Sequence, residues 1–232
     1  MGKGMYESGG YLELNPTWHV EDSPWKAARI LDMINRNDLK PGTVCEVGCG
    51  AGEILVRLGE KMPGETAFTG YEISPQAFAL CKKQKSDRVT FHLKDLLKEE
   101  DASFDLLLAI DLFEHVEDYM GFLRKLRSRG TYTIFHIPLD LSVQMVLRGE
   151  PLLKVRRKVG HLHYFTRETA LAALKDTGYE ILDSFYTAGS IELPGRSLKA
   201  RLARGPRQVM FALNQHWTVR ILGGYSLMVL AK

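Results

Sequence analysis

The chain has 232 residues, 45% hydrophobic and 25% charged, with a formal net charge of +3. Such a composition excludes a disordered chain and supplies no overall charge for holding a polyanion. Three cysteines, Cys45, Cys49 and Cys81, form no CxxC pair. That excludes a zinc ribbon and a disulfide framework and fits a reducing, cytoplasmic setting.

The opening MGKGMYESGG lacks the apolar run of a signal peptide. Tyr6 stands where an N-myristoylation motif needs Ser or Thr, and no stretch approaches the length of a spanning helix. Residues 1–22 are polar and carry Tyr6, Tyr11, Trp18 and His19, a pattern read as a flap. Ser23-Pro24 supplies a helix N-cap with proline at the first turn, and Trp25, Ala28, Leu31 and Ile34 follow at helical spacing until Lys40-Pro41-Gly42. Residues 1–42 are therefore expected to form an extension and helix that cover a domain made of 43–232.

An alternation of strands and helices follows. Strands are expected at Thr43–Val47, Thr66–Ile73, Arg88–Leu93, Phe104–Ile110, Thr131–Ile137, Tyr179–Tyr186 and Tyr225–Ala231. Helices are expected at Gly50–Lys61, after Ser74-Pro75, at Asp118–Arg129 and at Thr166–Thr177. Phe104–Ile110 is the most apolar run, as a strand covered on both faces requires. Such alternation gives an open, mostly parallel sheet with helices on both faces.

Two segments interrupt the rhythm, at about 139–160 and 187–224. Interruptions of that length within a compact domain are lids or covers. Basic charge collects in them: Arg148, Lys154, Arg156, Arg157 and Lys158 against Glu150, then Arg196, Lys199, Arg201, Arg204, Arg207 and Arg220 against Glu192. The remainder is net acidic, so the two covers would attract an anionic acceptor. Leu198 and Leu202, then Met210, Leu213, Trp217 and Ile221, recur at helical spacing. The favoured reading is a core-facing stripe with a solvated basic face; the alternative is peripheral contact with an anionic membrane.

The most informative segment is Glu46-Val47-Gly48-Cys49-Gly50-Ala51-Gly52-Glu53, between an expected strand and a helix. Open α/β sheets bind ligands there. The spacing is GxGxG, one residue short of the GxGxxG that seats a pyrophosphate. A carboxylate at Glu46 repels a phosphate and suits a cationic amino group, which S-adenosylmethionine carries. Glu72 follows Gly52 by 20 residues, near the spacing at which an acid reaches ribose hydroxyls. Asp95 could accept a hydrogen bond from an adenine amino group, with the Leu96 amide beside the ring.

The set EVGCGAG, YEIS, LKDLL and FDLLLAIDLFEHVED resembles the class I S-adenosylmethionine-dependent methyltransferases, in particular their small-molecule branch, over about residues 43–187. The resemblance implies a Rossmann-like, doubly wound, mostly parallel seven-stranded sheet with an antiparallel last strand and helical lid insertions. It further implies that Glu46, Gly48, Cys49, Gly50 and Gly52 line the methionine part of the cofactor, that Glu72 and Ile73 meet the ribose, and that Asp95 and Leu96 meet the adenine. Asp111 would sit beside the transferable methyl group.

Methyl transfer from a sulfonium needs alignment first, and a base only where the acceptor must lose a proton. His115 is the first candidate base; His163 or Tyr164, in the run His161-Leu162-His163-Tyr164, is the second. Alternation would point His161 and His163 the same way. His136, His161 and His163 lack a convincing ligand set, so no metal is expected. Asp111-Leu112-Phe113-Glu114 departs from the [DNS]PP[YFW] tetrapeptide of nucleic-acid amino-methyltransferases, and no cysteine is placed for cytosine C5 chemistry. The expected activity is methylation, at oxygen first, of a small organic acceptor. An RNA or protein methyltransferase using the basic insertions and a catalytically silent cofactor-binding scaffold remain the alternatives. Oligomeric state is open.

Overall fold

The computed structural model describes residues 11, 14–18, 20–84, 86–194 and 198–232, with 198–200 described by backbone alone. Tyr6, His19 and Arg196 lie outside the described residues, as do the side chains of Leu198 and Lys199.

Seven strands form one sheet: β1 (Thr43–Val47), β2 (Ala67–Glu72), β3 (Val89–Leu93), β4 (Phe104–Ile110), β5 (Gly130–Pro138), β6 (Ile181–Thr187) and β7 (Ser226–Ala231). Their order across the sheet is β3-β2-β1-β4-β5-β7-β6. β1 to β5 pair in parallel, and β7 runs antiparallel to both neighbours, β5 and β6. The order reverses beside β1, so the crevice beyond the carboxyl ends of β1 and β4 is the place for a ligand.

Period-two alternation divides the sheet's side chains between two cores. Cys45, Leu107, Ala109, Phe135 and Ile137 face one side, where they meet Leu123 and Leu126 of α4 (Tyr119–Arg127) and Ala170 and Leu174 of α7 (Arg167–Asp176). Val44, Leu106, Leu108 and Ile134 face the other side. There they meet Ala27, Ile30 and Met33 of α1 (Ser23–Arg36) and Ile54, Leu55 and Leu58 of α2 (Glu53–Lys61). The helix expected within the N-terminal cover is thus packed against the sheet. α3 (Pro75–Cys81) starts at Ser74, whose hydroxyl accepts from the Ala77 amide.

Helix α2 begins three residues later than expected. Gly48, Gly50 and Gly52 take φ of 67°, 57° and 78°, left-handed values that keep the loop out of the helix until Glu53.

Both interruptions are helical. The first holds α5 (Val143–Arg148) and α6 (Glu150–Val159); the second holds α8 (Gly189–Glu192), α9 (Leu198–Leu213) and α10 (Gln215–Leu222). α5 touches α6 and α10, and α10 touches α9, so the two interruptions form one cap. The stripe expected to face the core does not. Asn214 ends α9 and caps α10 through its side chain, and Leu202, Met210, Leu213, Trp217 and Ile221 are exposed. Spacing shows that a helix has an apolar face, and packing alone decides where that face points.

Candidate functional site

The carboxyl ends of β1, β2, β4 and β5 open into a cavity of about 810 Å³, toward the upper end of the roughly 300–1,000 Å³ typical of small-molecule sites. Glu46, Gly48, Cys49, Gly50, Gly52, Glu72, Ile73, Asp95, Leu96, Asp111 and His115 all line it, so eleven of the thirteen residues named for the site in the sequence are brought together. The exceptions are Tyr164, whose hydroxyl donates to the Leu152 carbonyl at 3.2 Å, and His163. Its Nε2 donates to the carbonyls of Val116 and Glu117, 3.0 and 3.2 Å away, and its ring packs on Tyr119.

The glycine loop is held from beneath by Glu72. Its Oε2 accepts from the Gly50 amide at 2.8 Å, and Oε1 accepts from the amides of Ile73 and Ser74 at 2.8 Å each. Burial raises the Glu72 carboxyl, and these amides pull part of the way back. Cys49 and Cys81 lie under the loop, their thiols hydrogen-bonded to each other, and Cys81 Sγ approaches the Gly50 carbonyl at 3.0 Å. Asp95 spends Oδ1 on the Leu97 amide, which turns the chain after β3.

Glu46 is 2% exposed, and its Oε2 has no hydrogen-bond partner. Burial pushes its carboxyl well above the usual range, and the charge of Lys26 offsets only part of that. A buried, unsatisfied carboxylate on a cavity wall calls for a cation. S-adenosylmethionine fits this wall: an ammonium for Glu46, and a loop whose glycines allow close approach. Trp18 lies over the loop, and a Cβ on Gly50 would sit 2.8 Å from Trp18 Cδ1. Trp18 in turn packs on Tyr11, ring centroids 4.6 Å apart. The Asn15 amide group donates to the Lys158 carbonyl at 3.0 Å, tying this flap to α6.

Asp111 stands at the end of β4 with φ 49°. Its Oδ2 meets Lys26 Nζ at 2.6 Å, and its Oδ1 meets His136 Nδ1 at 2.6 Å; His136 Nε2 reaches Thr187 Oγ1 at 2.8 Å. Burial pushes the Asp111 carboxyl upward, but the facing His136 and Lys26 outweigh it and hold the group below the usual carboxylate range. Lys26 is disfavoured as an ammonium by burial and held above its ordinary value by Asp111. Lys26 and His136 both line the cavity, and sequence reasoning did not single out Lys26. Its only signal was a lysine one residue past Trp25, inside an amphipathic helix.

Another part of the wall is formed by the end of the 3-10 turn Phe113–His115 and the segment after α6. His161 lines the cavity, and its Nδ1 lies 2.6 Å from Asp140 Oδ2. A carboxylate on Nδ1 fixes the tautomer and leaves the Nε2 lone pair for a ligand. The His115 ring meets His161 edge-on at 4.8 Å and bonds to the backbone of Gly160 and Asp111. Burial, then the neighbouring His161, lower His115 to about 4, so it is neutral at pH 7. Glu114 is buried beside it, its Oε1 3.9 Å from His115 Nε2 and neither oxygen hydrogen-bonded to another side chain. Burial and the charge of Asp111 raise its carboxyl well above the usual range. Ligating atoms of Glu114, His115 and His161 lie within 4.8 Å of one another, a different set from the His136, His161 and His163 weighed in the sequence.

A family model described as a methyltransferase domain matches residues 22–184. The chain belongs to this family, the class I S-adenosylmethionine-dependent enzymes. It is 29% identical to a pavine N-methyltransferase of Thalictrum flavum subsp. glaucum over 134 residues, 55% of this chain and 36% of that one. It is 26% identical to a ubiquinone biosynthesis O-methyltransferase of Xanthomonas campestris pv. campestris over 218 residues, covering 83% and 86% of the two chains. The plant N-methyltransferases it matches are longer proteins, of which the match spans between about a third and half. Among solved structures, a putative sarcosine dimethylglycine methyltransferase from Galdieria sulphuraria superposes with a TM-score of 0.61 at 18% identity, over 90% of this chain and 83% of that one. A magnesium protoporphyrin IX methyltransferase from Synechocystis with bound S-adenosylhomocysteine gives 0.59 at 16%, over 90% and 81%. Both structures share the fold of this methyltransferase domain.

Proposed function

We propose that this methyltransferase domain moves the methyl group of S-adenosylmethionine to an oxygen of a small organic acceptor held between the glycine loop and His161. The observation that carries the reading is the Asp140–His161 pair, whose histidine lines the same cavity as Glu46 and Asp111. When bound, the cofactor supplies an electrophilic methyl on a sulfonium. Glu46 takes its amino group, Glu72 and Ile73 the ribose, and Asp95 with the Leu96 amide the adenine. Gly48, Gly50 and Gly52 let the backbone close on it, and Cys49 packs the loop from below.

His161 Nε2 accepts the acceptor's proton, with Asp140 orienting the ring and stabilising the imidazolium that forms. His115 is a positioning residue: it sets the His161 ring through an edge contact and pins the turn after β4 to Gly160. Asp111, drawn tight between Lys26 and His136, presents a fixed negative edge where a sulfonium would lie. His163, expected from sequence as a second base, instead braces the Val116–Glu117 backbone. Exposed arginines and lysines of α6, whose last residue Val159 lines the cavity, favour an acceptor bearing a negative charge. The cellular setting that this reading assigns is the cytoplasm.

The test is transfer of a labelled methyl group from S-adenosylmethionine to a panel of phenols, carboxylic acids and amines. Labelled phenols or acids, with loss of transfer in His161→Ala, support the reading. Transfer to amines alone, insensitive to His161, replaces it with N-methylation.

A further inference from the structure

Ten of the fourteen large apolar side chains that are exposed among the described residues lie on α5, α6, α9 and α10. Scattered exposure is normal for a folded protein, but concentration on one cap marks a surface that something covers. Leu147 and Leu213 are each 81% exposed, Leu202 71% and Trp217 58%. These helices touch in the sequence α6–α5–α10–α9 and together form one cap.

Charge selects the occupant. The same four helices carry ten arginines and lysines and a single acid, Glu150. A second copy of this face would bring like charge onto like charge, which opposes self-association. The basic residues Arg148, Lys154, Arg156, Arg201 and Arg204 lie between the apolar ones along the helices. Long basic side chains can lay their stems along apolar surface and keep their charges at headgroup level. Trp217, with the Arg220 guanidinium 5.9 Å from its ring, is suited to the membrane–water boundary. No helix among the described residues is long and apolar enough to cross a membrane, so contact of this kind is confined to the interface.

We infer that the cap formed by α5, α6, α9 and α10 docks on the surface of a bilayer bearing anionic lipid. The cap's roots lie in the cavity wall: Val159 and His161 at the end of α6, Gly189 before α9 and Gly224 after α10 all line the cavity. Docking therefore sets the cavity's edge against the lipid, and a lipophilic acceptor reaches the site without crossing water. The Asn15 contact with Lys158 connects the flap over the glycine loop to the same cap.

The experiment is co-sedimentation of the full chain with vesicles of phosphatidylcholine alone and of phosphatidylcholine with phosphatidylglycerol, at low and high salt. The protein is expected to pellet with the anionic vesicles at least tenfold better than with the neutral ones, and less well at high salt. The double variant Leu147→Ser, Leu213→Ser is expected to lose at least tenfold in vesicle binding and to keep its affinity for S-adenosylhomocysteine, which reports an intact fold. Absence of vesicle binding, or equal binding by the double variant, overturns the inference. So does a dimer of the native chain in sedimentation equilibrium that the double variant abolishes, because the face would then serve a second copy.

Discussion

Asp111 and His136 are joined twice: the Asp111 amide donates to the His136 carbonyl at 2.9 Å, and their side chains meet at 2.6 Å. The backbone bond continues the β4–β5 ladder one residue past Ile110, and the side-chain bond fixes a carboxylate whose other oxygen holds Lys26. Three elements, α1, β4 and β5, are thereby locked at the cavity floor.

Asp111→Asn takes from the Lys26 ammonium its contacting carboxylate in a poorly hydrated place. Removing one partner of a buried pair costs about 3–5 kcal/mol, and the partial exposure of this one brings it to about 2–3 kcal/mol. Urea denaturation should show that loss, and Lys26→Met added to Asp111→Asn should recover part of it. An unchanged midpoint in the single variant would show that the pair contributes nothing to stability. The sign with pH follows from the lowered Asp111 carboxyl. Its contribution is full above the ordinary aspartate value and disappears as pH falls through the lowered one, so Asp111→Asn should flatten the acid limb of the stability profile.

Glu46 gives a linkage prediction of opposite sign. Its raised carboxyl favours the protonated acid in the free protein. An ammonium placed against it draws the carboxyl back down, so cofactor binding releases a proton and affinity declines as pH is lowered. Calorimetry of S-adenosylhomocysteine binding near pH 6.5, in two buffers of different ionisation enthalpy, should show proton release. Glu46→Gln should abolish the buffer difference and weaken binding about tenfold or more. The same buffer difference in Glu46→Gln would assign the proton to another group.

Gly50 combines a left-handed φ with a close approach to Trp18. Gly50→Ala meets backbone strain of about 1–2 kcal/mol, and the new Cβ pushes the Trp18 ring off the loop. Trp18→Ala adds no backbone strain, because Trp18 already stands at φ 50°. Both variants should weaken S-adenosylhomocysteine binding, whereas only Gly50→Ala should lower the melting temperature. Equal melting temperatures would mean that the loop relaxes around the new methyl group.

The two histidines of the HLHY run should separate kinetically. A positioned general base contributes about 10²–10⁴-fold. His161→Ala should therefore cut kcat within that range, with the KM for S-adenosylmethionine nearly unchanged. Asp140→Asn should produce a smaller loss in the same direction. His163→Ala should leave kcat within a few-fold and lower stability instead. Loss of kcat in His163→Ala with none in His161→Ala would reverse the assignment.

This contrast also shows how far the sequence can be read. β1 and β4 have the bounds expected of them because an apolar run ending in a glycine loop or an acid leaves little choice. The alternation expected to align His161 with His163 fails, because the amides of Leu162 and His163 both turn to the Glu114 carbonyl, at 2.8 and 3.1 Å. That bond joins residues far apart in the chain, and no local spacing encodes it. The same holds for Lys26 and His136, which line the cavity and meet at Asp111 from two distant elements, and for Asp140 behind His161. Eleven residues of the expected site converge because they sit at strand ends, where topology alone delivers them. The partners that tune them come from elsewhere in the chain.

The most direct measurement is calorimetric titration of the native chain and Glu72→Ala with S-adenosylhomocysteine, with NAD as the control ligand. Saturable binding of S-adenosylhomocysteine, at least tenfold weaker in Glu72→Ala, is expected, with no heat from NAD. Binding of NAD, or of neither ligand, would contradict it.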